Sequence, residues 1–196
     1  RLGLQKIVFG PSRVLRSLSW FDTIDLTDPT GQTDGVEAFR LKWFISNSLS
    51  LWSWAINNEQ NAIFIGGRAE LSSNMGEWGI TLHMDPSNIH QQVALDYRYD
   101  GFIGFWNEST LIHSNDLDSS MVTIGSDYTL PIFNGVLIMA ESMFISSKQN
   151  SSISPQILTA YMVSFPIGML HNIMFMSELS WNENNAYNYL RWSSTY

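Results

Sequence analysis

Strict alternation of apolar and polar residues, repeated in one segment after another, is what most limits the folds open to this chain. In "GEWGITLHMD", residues 76–85, Trp78, Ile80, Leu82 and Met84 alternate with Glu77, Gly79, Thr81, His83 and Asp85. That is the period of a strand whose two faces meet different surroundings. The same pattern marks twelve candidate strands, at about 2–9, 36–46, 48–57, 62–72, 76–85, 91–100, 102–113, 120–130, 135–146, 156–165, 170–181 and 186–196. Most approach the roughly 9–11 residues of a tilted membrane-crossing strand and exceed the roughly five or six usual in soluble sheets. Helical spacing is not sustained anywhere, and Gly, Asn, Asp, Ser and Pro gather at the joints. The expected class is all-β and antiparallel, in one domain over residues 1–196.

Composition bears on which face meets what. Only 14% of the 196 residues are charged, whereas 44% are hydrophobic and 13% aromatic. A soluble domain carries roughly 25% charged residues, so a surface facing water on all sides would be short of charge. The net charge of −8 comes without a basic patch, which argues against nucleic acid as a partner. Cysteine is absent, removing disulfides, thiolate metal sites and cysteine nucleophiles together. No apolar run approaches the roughly 20 residues of a spanning helix, so any insertion into a bilayer must use strands. The chain opens at Arg1 directly on a strand-like segment without a signal peptide, as expected of a mature protein or a piece of a longer one.

The charges of the candidate strands collect on one face. Arg40, Lys42, Arg68, Glu70, Glu77, His83, Asp96, Arg98, Trp106, Glu108, Asp127 and Glu141 fall opposite the apolar set typified by Phe39, Leu41, Trp43, Ile65, Ile80, Leu95 and Ile138. Charges of both signs, interspersed so that neighbours pair, suit the lumen of a barrel whose apolar face meets lipid. These twelve residues are the expected lumen lining. Connections after even-numbered strands read as tight and those after odd-numbered strands as longer, the habit of outer-membrane barrels with their short turns on the periplasmic side. The longest connection, residues 10–35, carries Arg13, Arg16, Trp20, Asp22, Asp25, Asp28 and Asp34. Two readings of it stay open: folding into the lumen as a charged constriction, or an outer loop held by Asx turns around "TDPTGQTDG".

The stretches "QKIVFG", "LSWFDTIDLTDPTGQTDGVEAFRLKWF", "GGRAELSSNMGEWGITLH", "ALDYRYDGFIGFWNES", "IGSDYTLPIFNGVLIMAESMF" and "VSFPIGML", in that order, resemble the porin-like, alginate-export-like outer-membrane β-barrels of Gram-negative bacteria. The resemblance implies a membrane barrel and passive or facilitated passage of small molecules. Members of that family begin with a signal peptide and further strands and continue past a segment like "YLRWSSTY", whereas this chain stops at Tyr196. A fragment of a larger barrel is therefore expected.

No catalytic constellation emerges. His83, His90, His113 and His171 lack metal-ligand spacing, and no GxSxG elbow, Walker loop or HExxH occurs. An outer-membrane hydrolase would need a Ser and a His on the outer face; Ser109 and His113 share a parity but lie two pleats apart. The sequence thus leads to a porin-like channel in a bacterial outer membrane, with the bilayer and small solutes as partners and no cofactor, metal or enzymatic activity. The lining charges, four positive to six negative, imply cation preference. The alternatives are a non-transporting adhesin or structural barrel and a soluble β-sandwich binding module.

Overall fold

The computed structural model of the chain describes residues 1–21, 35–57, 63–85, 90–115, 117–149 and 152–195. Twelve strands follow one another: β1 (Leu2–Gln5), β2 (Val36–Phe44), β3 (Leu49–Asn57), β4 (Ile63–Ser73), β5 (Gly76–Asp85), β6 (His90–Asp100), β7 (Gly104–His113), β8 (Asp118–Leu130), β9 (Val136–Gln149), β10 (Ser152–Ile167), β11 (His171–Ser180) and β12 (Asn185–Ser194). All belong to one antiparallel sheet in which each strand pairs with its sequence neighbours. β1 and β12 are its two edges and do not pair, so the sheet is not closed. No helix and no second sheet occurs among the described residues, which leaves the sandwich without its second layer.

The register follows from the alternation. Trp54, Gly66, His83 and Gln92 lie directly opposite one another across β3–β6, and Ala55, Ile65, Met84 and Gln91 form the next row on the other face. A slip of one residue in any strand would turn its apolar set over, so the repeated pattern fixes the pairing throughout. The apolar face is bare: Ile80 is 52% exposed and Leu82 47%, while Thr81 between them is 0% exposed. Its aromatic residues gather at the end bearing the 45–48, 74–75, 101–103, 131–135 and 168–170 turns. There Trp78 packs on Tyr97 with ring centroids 4.2 Å apart, Phe102 on Tyr128 at 5.0 Å, and Phe133 on Phe165 at 5.4 Å. The other connections lie at the opposite end of the strands, the loop end.

The polar face is covered. Residues 6–21 leave β1 and lie against it, contributing Ile7, Phe9, Leu18 and Phe21 to a buried cluster with Trp54, Ile56, Ala38 and Ala94. Leu15 joins a second cluster with Met143 and Ala160, and Val14 packs against both that one and a third built on Trp106, Met139 and Met162. The core is therefore one-sided, formed between the sheet and this inner segment.

Two expectations change. The first strand ends at Gln5 and not at Phe9. Leu2 and Leu4 are outward and exposed, while Ile7 and Phe9 are buried, so the apolar positions switch from even to odd between them. A regular strand keeps one parity, and this switch is the break at which the chain turns inward. Secondly, the long polar loop expected at 146–156 is mostly strand: β9 runs to 14 residues and β10 to 16, with Ser146 opposite Pro155 and Lys148 opposite Ile153. Polar side chains do not prevent the backbone groups of neighbouring strands from pairing, since the ladder is made by N–H and C=O alone. The length contrast between the two ends then rests on the connection after β1 alone.

Candidate functional site

The inner face carries two arrays that differ in what their charged groups bind. The first spans β2–β6 and centres on Arg68. Its guanidinium forms a bidentate pair with Asp96, Nη1 to Oδ1 at 2.6 Å and Nη2 to Oδ2 at 2.9 Å. Nη1 also donates to Thr81 Oγ1 at 2.7 Å and Nε to Glu70 Oε1 at 2.9 Å. Glu70 accepts in turn from Trp52 Nε1 at 2.8 Å, Ser50 Oγ at 3.0 Å and Lys42 Nζ at 3.3 Å. Arg40 and Lys42 stand over the Trp52 ring at 5.0 and 3.9 Å, and Arg68 over Phe9 of the inner segment at 4.9 Å. Residues 42, 70, 68 and 96 thus form a chain of alternating charge, in which the buried members Arg68 and Asp96 satisfy each other.

The second array spans β7–β9 and grips the inner segment by its backbone. Glu141 Oε1 accepts from the Arg13 amide at 2.7 Å, and Oε2 from those of Val14 at 2.9 Å and Leu15 at 2.7 Å. Glu108 accepts from the amides of Ser12 at 2.7 Å, Ser17 at 3.1 Å and Leu18 at 3.3 Å, and from Ser17 Oγ at 3.3 Å. Trp106 Nε1 donates to Glu141 Oε1 at 3.2 Å, and Thr110 Oγ1 donates to the Ser17 carbonyl at 3.1 Å. An irregular segment has no ladder for its amides, and buried amides must find acceptors. Two carboxylates supply them here. Gly10 makes the close approach possible: its φ is +83°, and a Cβ there would run into the Glu108 carboxylate.

The remaining candidates fall around these arrays. His83 sits in an aromatic box, stacked on Phe64 at 5.4 Å and met edge-on by Phe21 at 4.9 Å, and Trp54 Nε1 donates to its Nδ1 at 3.2 Å. The Trp54 indole lies over Gly66, where a Cβ would collide with it, so "GGR" is a strand position kept bare for a neighbour's ring. Trp20 lies 6.3 Å from the His83 ring. Arg98 pairs with Asp100 at 2.7 Å and stands 5.5 Å over Trp106. Asp127 meets Arg13 of the inner segment at 3.6 Å, Arg16 Nη2 donates to the Phe9 carbonyl at 3.2 Å, and Glu77 is exposed near the turns. Asp22, Asp25, Asp28 and Asp34 lie outside the described residues.

The expectation that all twelve inner candidates line open water is corrected for six of them: Arg68, His83, Asp96, Trp106, Glu108 and Glu141 are buried. Trp106 and Glu108 are 0% exposed and Glu141 1%, because the inner segment covers them. Sequence reasoning placed these side chains on the inner face and offered inward folding of the 10–35 connection as one of its two readings, but it did not pair Glu108 and Glu141 with the backbone of that connection. It also missed Thr81, Thr110, Asp100 and the inner methionines Met139, Met143, Met162 and Met176. The methionine parity was readable, since each shares the parity of its strand's inner residues.

Two cavities flank the segment. One, of about 640 Å³, lies at the loop end among Trp20, Phe21, Phe64, His83, His90 and Gln92. The other, of about 370 Å³, separates Val8–Pro11 from Arg68, Glu77, Asp96 and Arg98. Among the described residues no three His, Asp or Glu side chains come together as metal ligands. Ser109 donates to Asn107 Oδ1 at 3.1 Å and His113 Nδ1 contacts Asp118 Oδ1 at 2.5 Å, so the Ser and His of the hydrolase alternative are engaged elsewhere. No family model, curated protein or solved structure matches this chain.

Proposed function

We propose that the chain forms a transmembrane β-barrel of the bacterial outer membrane, or the larger part of one, and acts as a porin-like channel for small solutes. The observation that carries this reading is the outward face. Across β1–β12, the only outward-facing Asp, Glu, Lys or Arg residues among the described side chains are Glu37, Asp118 and Lys148, all at the loop end. Phe39, Leu41, Ile65, Ile80, Leu95, Ile124 and Phe144 are exposed on that face, with an aromatic row at the turn end. In water such a continuous apolar surface far exceeds the few hundred Å² a soluble monomer exposes; against lipid it is the stable arrangement. In a bilayer the edges β1 and β12 need partners, through their own pairing or further strands.

The cavity beside Val8–Pro11 is the natural route past the inner segment, and the paired charges of β4–β6 form its wall. Selectivity by charge is expected to be weak, contrary to the cation preference implied by a simple count of inner charges. Glu108 and Glu141 are withdrawn onto backbone amides, and the segment brings Arg13 and Arg16 inside.

A second reading, a non-transporting structural or adhesin barrel, is favoured by one observation: residues 6–21 fill the space over β7–β10 with a close-packed core. Conductance across a planar bilayer separates the two. Discrete, salt-dependent conductance steps support the channel; a protein that inserts and shows heat-modifiable gel mobility but never conducts supports the filled barrel.

A further inference from the structure

At the loop end of the outward face, five neighbouring strands bring Gln91, His113, Asp118, Lys148 and Ile153 into one cross-strand row, each directly opposite the next. The row below reads Val93, Leu111, Ser120, Ser146 and Pro155, and the row after it Leu95, Ser109, Val122, Phe144 and Ile157. Polar groups thus form a rim directly above an apolar surface. The two upper rows border a cavity of about 490 Å³. Lys148 is opposite Asp118, yet among the described residues no ion pair joins them, and Asp118 is held by His113 Nδ1 at 2.5 Å. Among the described residues the Lys148 ammonium and the Ser120 and Ser146 hydroxyls have no side-chain partner, and the His113 bond to Asp118 leaves Nε2 facing elsewhere.

We propose that this cavity binds the phosphate of a membrane lipid, with the acyl chains lying on Val93, Leu111, Val122 and Phe144. The inference rests on the membrane reading above and adds a specific headgroup site to it. The chemistry is complementary: an ammonium and two hydroxyls border one cavity as donors, and a phosphate presents several strong acceptor oxygens. Lys148 is the only outward Lys or Arg among the described strand residues, and it lies at the boundary where a headgroup would sit. Asp118 keeps its negative charge while bonded to His113, so Lys148 directly opposite it and the two hydroxyls must outweigh that charge for the anion to bind.

The test uses the full polypeptide, first folded into phosphatidylcholine vesicles and checked for heat-modifiable mobility. Failure to insert at this stage counts against the membrane reading itself. The inserted protein is then transferred to dodecyl maltoside with equal amounts of dimyristoyl phosphatidic acid and dimyristoylglycerol, and retained lipid is weighed by native mass spectrometry. Wild type should retain the phosphate lipid about tenfold over the neutral one, the scale of one or two charge-assisted bonds. Lys148→Gln should lose most of that preference and Lys148→Arg keep it. Equal retention of the two lipids by wild type, an unchanged preference in Lys148→Gln, or displacement by inorganic phosphate alone would overturn the lipid site while leaving insertion intact.

Discussion

Asp96 and Glu141 look alike in the sequence: each is a carboxylate at an inner-face position in the middle of a strand. In the fold they are opposites. Asp96 is bound by the Arg68 side chain, two strands away, and the pair closes within the sheet. Glu141 is bound by three consecutive backbone amides, Arg13 to Leu15, more than a hundred residues earlier in the chain. The comparison teaches that the inner face has two functions side by side. Over β2–β6 its charges neutralise one another and shape a wall; over β7–β9 its carboxylates anchor a separate piece of chain.

Breaking the first array should cost most. Arg68→Ala leaves Asp96 buried without its partner, and removing one member of a buried pair costs about 3–5 kcal/mol. Urea unfolding of the protein refolded in lipid vesicles should show a loss of that order. A double replacement of Arg68 and Asp96 by Met and Leu should recover much of it, because the penalty lies in the unpaired charge.

Breaking the second array should have a smaller global effect and a larger local one. Glu141→Ala strands the amides of Arg13, Val14 and Leu15, and each buried unpaired amide costs about 1–3 kcal/mol unless water reaches it. If the segment lifts away, water satisfies the amides and the global loss shrinks. The expected outcome is therefore faster amide exchange confined to residues 12–18, with the exchange of β4–β6 unchanged. Uniform acceleration across the sheet would mean that the segment and the wall are one cooperative unit. In a bilayer, Glu108→Ala combined with Glu141→Ala should raise single-channel conductance relative to wild type.

The smallest effect belongs to Lys42→Gln. Its bond to Glu70 is partly exposed, 30% and 31% for the two side chains, and such pairs contribute about 0–1 kcal/mol. A shift of stability beyond that range would show that the Trp52 ring contact, and not the ion pair, holds Lys42.

The strands, their faces and their order were legible because the alternation is local: Trp78, Ile80 and Leu82 declare their side of the sheet within five residues. The end of β1 was legible too, in the parity change from Leu4 to Ile7, but it is easily overlooked because "LGLQKIVFG" still alternates on either side of it. The partners of Glu108 and Glu141 were not legible. Their contacts are to backbone amides, which every residue carries, so no residue type at 12–18 signals them. Likewise His83 reads as a polar inner residue. Its aromatic box is assembled from β3, β4 and the inner segment, which only the three-dimensional register brings together.

The central claim, that the exposed apolar face of the sheet meets lipid, can be tested directly because the chain has no cysteine of its own. Single cysteines at Leu82, Leu95 and Ile138 on the outward face, and at Glu77 and Ser72 on the inward face near the turns, would carry nitroxide labels in the bilayer-reconstituted protein. Collision with oxygen and with a water-soluble nickel chelate would then be read for each. The account predicts high oxygen and low nickel accessibility at 82, 95 and 138, and higher nickel accessibility at 72 and 77. High nickel accessibility at Leu82, Leu95 and Ile138, or protection of these sites from both reagents, would contradict it.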